Sequence, residues 1–487
     1  MTAEAQPAPR RILPPARTAV LLGLLVLVGF VIRIDALRNS APDVPILGDA
    51  RAYHLLAENL AEGRGYIRPY EFADGGAEIE TAEYPPGLAV VLAVATKAGA
   101  SSETSQRALL CGIGALTVGL IGLIGRRLGG DGVGYLAALL AAVHPGLWNN
   151  DVSLMAEPLA AFMGAALVLA ALAVVDRPDR WRWIGLGAVA GLGCFVRSEF
   201  LLMGPALMAM VAWRTTDAWR PRLGRFALGV GVLVLVLVPW TVRNLVVFDG
   251  EVVPLSNNSG SVSQGANCDA AYSGQFKGLW VTNVSLDGND ADAARAGCFA
   301  GFDLSSDNEA QAAAKLRSSG LTYTRDHLGQ LPGVMAARLG RTFGLYQFEQ
   351  QRNFAGAEGR NPLWDGRGTR SFQLLALVGI VGLAVSSVRR TRSWERWMLV
   401  VPPAAVVVIV AFTYGNPRFR AAAEPAVVVL AALGAFDIVA ALRREPSAPA
   451  GVAAVGAAEV DGLEGRDGGL VPLVEEDGAG HTAQDQV

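Results

Sequence analysis

The sequence predicts an all-α polytopic membrane protein with about ten transmembrane helices and a mixed extracytoplasmic loop domain, and three observations carry that prediction. Hydrophobic residues make up 52% of the 487 residues and charged residues only 17%. An ordinary soluble domain carries roughly 25% charged residues. Apolar runs of 14 to 20 residues recur along the chain, close to the length a helix needs to cross a hydrocarbon core. These runs lack the residue-by-residue alternation of a transmembrane β-barrel. A disordered chain, a collagen-like chain and a typical cytosolic enzyme are thereby excluded.

The first span is the run 18–34, preceded by Arg10, Arg11 and Arg17. Its length, and the Arg33 and Asp35 that end it, argue against a cleaved signal peptide. Arginines ahead of a first span place the segment 1–17 in the cytoplasm. Nine further runs lie near 106–125, 132–148, 157–175, 183–196, 200–213, 226–242, 371–388, 396–413 and 425–442. The run 85–98 is short and opens on Pro85 and Pro86. Leaving it out as a crossing puts every arginine cluster inside: Arg126 and Arg127; Arg177, Arg180 and Arg182; Arg214, Arg220, Arg222 and Arg225; Arg389, Arg390, Arg392 and Arg396; Arg443 and Arg444. The segment 85–98 therefore reads as re-entrant or interfacial.

On this topology 18–242 form a transmembrane module whose first outer loop, 35–105, carries the site. The segment 243–370 is a large extracytoplasmic loop domain, and 371–444 hold the last helices. From Glu445 onward nine acids face one base, Arg466, in a tail without periodicity that reads as disordered and cytoplasmic. The net charge is −3; without that tail it is +5, which gives no footprint for nucleic acid. Cys111 and Cys194 lie in apolar runs and read as inert core residues. No CxxC pair or Cys/His cluster suggests a zinc site.

Ionisable residues beside membrane spans are costly and point to function. Here Arg33, Asp35, Asp49, Glu83, Glu157, Arg197, Glu199, Arg243, Arg418, Arg420 and Glu424 all map to the outer face. A transporter usually holds its site at the midplane between repeats. Charges gathered at one face instead suit an enzyme acting on a lipid head group. A transporter or flippase of lipid-linked glycans stays open through the broken pair around Arg197–Ser198–Glu199, and a structural membrane subunit is a third reading.

The segment 48–60 reads as a helix along the membrane surface, with Asp49 and Tyr53 on one face. Asp49 suits an N-cap, a catalytic carboxylate, or both. Tyr53 suits an interfacial anchor or a ligand contact. Glu157 opens an apolar run, where an acid favours the helix dipole or serves a site. Arg197 and Glu199 suit an internal ion pair, or Arg197 a substrate contact. Arg243 suits snorkelling or a phosphate contact, Arg418 and Arg420 suit phosphate contacts, and Arg338 and Arg341 suit a membrane-surface helix. No nucleotide fingerprint or P-loop supports a nucleotide-sugar donor.

The runs GDARAYHLLAENLAEGRGY, AEYPPGLAVVLAV, RALLCGIGALTVGLIGLIGRRLGG, LMAEPLAAF, VPWTVRN and TYGNPRFRAAAEPAVVVLAALG occur in that order over about 20–440. In this they resemble the membrane glycosyltransferases of the GT-C superfamily, nearest the protein O-mannosyltransferase and aminoarabinose-transferase group. The resemblance implies a GT-C-like helix arrangement and an active site on the extracytoplasmic side of the plasma membrane. It also implies a donor sugar on a polyprenyl phosphate and a glycan, lipid or protein acceptor. Asp49 matches the Asp of the family's Asp-Glu pair and would be the general base of an inverting transfer, while Ala50 stands where that Glu would be. Glu157 matches a second acidic position. Where aminoarabinose transferases have Glu-Lys-Pro-Pro, this chain has Glu83-Tyr84-Pro85-Pro86. The phosphate-binding lysine is thus missing, and Arg51 or Arg243 would stand in for it. Some relatives use a divalent metal and others do not; Asp49, Glu83 and Glu157 are the ligands it would take.

Cys268 and Cys298 are the two cysteines of the large outer loop, in a compartment that favours oxidation. A disulfide between them would close 29 residues, Asp269 to Gly297, and contribute about 2–4 kcal/mol by constraining the unfolded loop.

Overall fold

A computed structural model of the chain describes residues 15–40, 46–215, 218–282, 297–304, 307–388 and 394–443. The expected tail 445–487 and most of the segment 1–17 lie outside the described residues. The chain divides into the unit Met1–Leu442, which carries the helical bundle and the large loop, and the unit Arg443–Val487.

In order the helices are α1 Ala16–Asn39, α2 Gly48–Ala61, α3 Pro69–Ala73, α4 Pro86–Lys97, α5 Glu103–Gly129, α6 Asp131–Val143, α7 Pro145–Asp151, α8 Glu157–Asp176, α9 Arg180–Cys194, α10 Phe200–Thr215 and α11 Trp219–Val247. The large loop adds α12 Asn258–Ala266, α13 Asp269–Tyr272, α14 Glu309–Asp326, α15 Leu331–Thr342 and α16 Phe348–Ala357. Then come α17 Pro362–Val388, α18 Val401–Phe412 and α19 Glu424–Arg443. A 3₁₀ turn, Trp394–Val400, leads into α18, and another, Pro417–Arg420, leads towards α19. The expected mixture of elements in the large loop narrows to helices and irregular chain among the described residues.

The ten apolar runs each fall on a helix or helix pair. Among the described residues seven helical segments are long and apolar enough to cross a membrane; α6 and α10 are shorter apolar helices. The run 132–148 is two helices, because Pro145 offers no N–H and biases His144 to an extended backbone, φ −68° and ψ 113°. The run 85–98 becomes α4, whose 12 residues rise only about 18 Å, too little for a bilayer core of about 30 Å. The large loop is also shorter than 243–370, since α11 continues to Val247 and α17 begins at Pro362.

Polarity is arranged as a bilayer demands. On α1, α11 and α17 the leucines, valines and isoleucines Leu24, Val31, Leu235, Val246, Leu374 and Ile380 are exposed. The inside is lined by small residues that let backbones approach. The buried face of α6 is Gly134, Ala137, Ala138, Ala141 and Ala142. A Cβ at Gly134 would lie 2.9 Å from the Gly122 carbonyl of α5. The centre of the bundle is α8, the most buried of the seven long apolar segments.

Charges form two layers, one at each end of the helices. At one end Arg126 pairs with Asp131 at 2.7 Å and Arg396 with Asp437 at 2.6 Å. Arg127, almost wholly buried, donates to Asp176 and Glu395 and ties α5, α8 and the turn before α18. At the other end Arg33 of α1 donates from Nε to Asp151 at 2.6 Å, both side chains buried.

The large loop is fastened by two arginines. Arg338 and Arg341 of α15 were expected on a membrane-surface helix; both are buried instead, 1% and 0% exposed. Arg338 donates to the carbonyls of Ala411 at 2.9 Å and Ala266 at 2.7 Å. Arg341 donates to those of Lys277 and Gln275, both at 2.7 Å. Ala411 lies in the last turn of α18, where helix carbonyls lack intrahelical partners, and a guanidinium fork satisfies such groups.

Cys268 and Cys298 are joined in a disulfide with a Cα separation of 5.5 Å. Part of the segment it closes, 283–296, lies outside the described residues. Cys111 and Cys194 are buried free thiols. Peptide mapping without reduction is expected to recover Cys268 and Cys298 as one linked pair. Two alkylatable loop thiols in freshly purified protein would contradict it.

Candidate active site

The charged layer that begins with Arg33 widens into a network around Arg418. Asp49 stands in the first turn of α2, after a Gly48 with φ +50°. The N-cap place belongs to Leu47, which makes no side-chain cap, so Asp49 is not the cap that its position in the sequence suggested. Its carboxylate is held from two sides. Tyr84 Oη donates to Oδ1 at 3.1 Å, and Arg418 Nη1 donates to Oδ2 at 3.0 Å. The side chain remains 37% exposed, so it meets solvent while anchored.

Arg418 faces three further groups. Its Nε lies 3.9 Å from Glu157 Oε1, Nη1 lies 3.5 Å from Glu358 Oε1, and Nη2 donates to Tyr414 Oη at 3.2 Å. Glu157, at the first turn of α8, is 3% exposed and accepts from Arg197 Nη1 at 2.8 Å. Arg197 also donates to Glu199 at 2.9 Å, which gives the ion pair expected there and extends it to Glu157. The structure thus brings Asp49, Tyr84, Glu157, Arg197 and Arg418 together from α2, the segment before α4, α8, the α9–α10 turn and the 3₁₀ turn before α19.

Tyr53 packs on the Tyr84 ring at 5.1 Å between centroids and is 5% exposed, so it supports the site wall and is no membrane anchor. Burial, then the charges of Asp49 and Glu157, push its phenol above the usual range. Glu83 opens to solvent on one side but is otherwise walled by protein. That desolvation, with Glu309 and Asp49 nearby, pushes its carboxyl up to about 7. The segment ahead of it is clamped by Glu309, which accepts from Thr81 Oγ1 at 2.7 Å, Ala82 N–H at 2.8 Å and Asn257 Nδ2 at 2.9 Å.

The remaining arginines differ in their freedom. Arg243 is spent on protein: it donates to the carbonyls of Thr81 at 2.7 Å and Tyr66 at 3.0 Å and pairs with Glu80. Arg420 is buried, with Glu424 at 3.4 Å, the Thr342 carbonyl at 3.2 Å and Thr369 Oγ1 at 3.3 Å. Glu424 in turn faces His144 Nε2 at 3.3 Å, whose Nδ1 lies 2.5 Å from Ser371 Oγ. Arg51, two residues after Asp49, is exposed, and its guanidinium lies over the Tyr70 ring at 5.8 Å.

Glu358, Arg360, Tyr414 and Asn416 complete the network and were not singled out from the sequence. Glu358 accepts from Asn416 Nδ2 at 2.9 Å and pairs with Arg360. Burial opposes its charge, but Arg418 and Arg360 outweigh it and hold Glu358 below the usual carboxylate range. The signal available was a charged run, Glu358-Gly359-Arg360, turned by a glycine at φ +78° just before α17.

Comparisons with known proteins agree with the GT-C resemblance. Residues 83–242 match the family model of dolichyl-phosphate-mannose-protein mannosyltransferases, a stretch that includes Glu83, Tyr84, Glu157 and Arg197. No curated protein matches the chain by sequence. The apo oligosaccharyltransferase of Archaeoglobus fulgidus is similar in structure, with a TM-score of 0.51 and 15% identity over 88% of this chain and 51% of that one. This chain therefore spans about half the length of that protein, and the likeness shows a shared fold. The same protein in complex with Zn and sulfate aligns with a TM-score of 0.47 and 16% identity, over 87% of this chain and 51% of that one. ArnT from Cupriavidus metallidurans bound to undecaprenyl phosphate aligns with a TM-score of 0.39 and 14% identity, over 87% and 78%.

Proposed function

We propose that this chain, whose residues 83–242 match the dolichyl-phosphate-mannose-protein mannosyltransferase family, transfers a sugar from a polyprenyl-phosphate donor to an acceptor hydroxyl with inversion, using Asp49 as general base. The observation that carries this reading is the half-exposed Asp49 carboxylate, fixed by Tyr84 and Arg418 directly after the first apolar helix.

The acceptor oxygen bonds to the anomeric carbon as the bond from that carbon to the phosphate oxygen breaks. The acceptor proton passes to Asp49, and the leaving electron pair stays on the phosphate. A positioned carboxylate suits that proton transfer, and one displacement inverts the carbon, as in inverting glycosidases. Arg51 is the cation we assign to the leaving phosphate, because its guanidinium has no carboxylate partner among the described residues and lies over Tyr70, whose hydroxyl donates to the Gly48 carbonyl next to Asp49. The polyprenyl chain runs along α4, which starts two residues after Tyr84 and exposes Val90 and Val94. The arginine-rich clusters around Arg126, Arg180 and Arg220 sit on other helix ends, and by the positive-inside rule this supports an extracytoplasmic Asp49.

The test supplies purified protein with a labelled sugar on polyprenyl phosphate and, separately, on a nucleotide. Transfer is expected from the lipid donor alone; transfer only from the nucleotide sugar overturns the reading. Arg51→Ala is expected to raise donor KM about tenfold, the loss of one charge-assisted contact, with a smaller change in kcat. An unchanged donor KM removes Arg51 from the phosphate.

A further inference from the structure

Asp49, Glu157 and Glu358 come from α2, α8 and the approach to α17, and they converge on one point. Carboxylates gathered from distant segments are what a hard divalent cation binds. Two of the three, Asp49 and Glu157, belong to the ligand set that a metal would take on the sequence alone.

The residues do not fit a metal, because the point of convergence is held by a guanidinium. Arg418 lies 3.0 Å from Asp49, 3.5 Å from Glu358 and 3.9 Å from Glu157. A magnesium or calcium ion needs several oxygens at about 2.0–2.6 Å from one centre. Glu157 is further claimed by Arg197 at 2.8 Å, and Arg197 by Glu199. A dication placed between these acids would stand against two guanidinium groups. Glu83, the remaining acid of the expected ligand set, is not among the partners of Arg418. Among the described residues no group of three His, Cys, Asp or Glu side chains is placed to hold a metal ion.

We propose that Arg418 is the resident cation of this site, a positioning residue that takes the place a divalent metal would occupy and holds Asp49 and Glu157 in orientation. Its planar fork reaches Asp49 and Glu358 through one nitrogen while Nη2 is fixed by the Tyr414 hydroxyl. Arg418 Nε is buried without a hydrogen-bond partner, and Glu157 Oε1 at 3.9 Å is the anion it faces. The consequence for the proposed transfer, on which the activity arm of the test rests, is that it proceeds without added metal.

The experiment uses the full chain. Mn²⁺ titrated into purified protein, followed by electron paramagnetic resonance, is expected to show no site that Asp49→Asn removes. Transfer in EDTA is expected to stay within twofold of that in Mg²⁺ or Mn²⁺. Arg418→Gln is expected to lower kcat/KM at least 100-fold, and Arg418→Lys, which keeps the charge, to recover at least tenfold of that loss. Bound Mn²⁺ that disappears in Asp49→Asn would overturn the proposal. So would activity lost in EDTA and restored by Mn²⁺, or Arg418→Gln and Arg418→Lys being equally impaired. The Mn²⁺ measurement needs neither a stable Arg418 variant nor any activity, so absence of transfer altogether would count against the proposed reaction while this arm still decides on the cation.

Discussion

Asp49→Asn is expected to lower kcat for transfer from the lipid donor about 10²–10⁴-fold, the usual worth of a positioned general base. The substitution keeps the shape of the side chain. Its carbonyl oxygen still accepts from one of the two donors that hold it, Tyr84 Oη at 3.1 Å and Arg418 Nη1 at 3.0 Å. Arg418 keeps Glu157 and Glu358 as counter-charges, so the network survives the loss of one acid. Donor KM should therefore move little, because Arg51 and the apolar face of α4 are untouched. What disappears is the capacity to take a proton. Steady-state kinetics with labelled donor measure it, and a kcat within tenfold of wild type would remove Asp49 from the role of base.

The second large effect concerns packing. Gly164 lies on α8 seven residues after Glu157, two turns on and therefore on the same face. A Cβ at Gly164 would stand 2.1 Å from the carbonyl oxygen of Ala422 and 3.0 Å from its carbon. These are backbone atoms, so no side chain can turn away to make room. Ala422 lies between Arg420 and Glu424, four residues from Arg418. Gly164→Ala must push that segment off α8, at a cost of about 1–3 kcal/mol or more for overpacking. The expected result is a lower melting temperature in detergent together with a large loss of activity, since a misplacement of about 1 Å can cost ~10²-fold in rate. Gly185→Ala on α9 is the control. A Cβ there meets nothing within 4 Å, and the helix gains about 1 kcal/mol from replacing glycine. A Gly164→Ala protein with wild-type melting and activity would show that the 417–424 segment does not depend on this contact.

The bundle was legible because apolar length is a strong signal and each run answers to one physical requirement. The end of the molecule where the site lies was legible too, since Asp49, Glu157, Arg197 and Arg418 interrupt or flank those runs. Partnerships were not. Arg243 and Arg418 look alike in sequence, each an arginine at a helix end, and only the folded chain distinguishes one spent on the Thr81 and Tyr66 carbonyls from one facing three acids. Arg338 and Arg341 misled for a related reason. An amphipathic pattern reports a face that needs polar surroundings, and buried backbone carbonyls meet that need as well as lipid head groups do. Glu358 escaped notice because α17 begins at Pro362, with Asp365, Arg367 and Arg370 in its early turns, well before the apolar run at 371. Hydropathy marks where a helix enters oil and is silent about the charged residues ahead of that point, Glu358 among them.

The bond between Arg418 and Asp49 joins positions 369 residues apart. At about 5–20 residues per second, a ribosome needs roughly 20–70 s to travel from one to the other. For all that time α2 presents Asp49, and for the later part of it α8 presents Glu157, without the arginine that both face. The network of the candidate site is therefore incomplete while the chain is being made. On the proposed mechanism the centre is completed in a single late event, when the turn before α19 emerges and docks against α8, so a chain stalled or cut before that point is expected to be silent, whatever it has already threaded into the membrane.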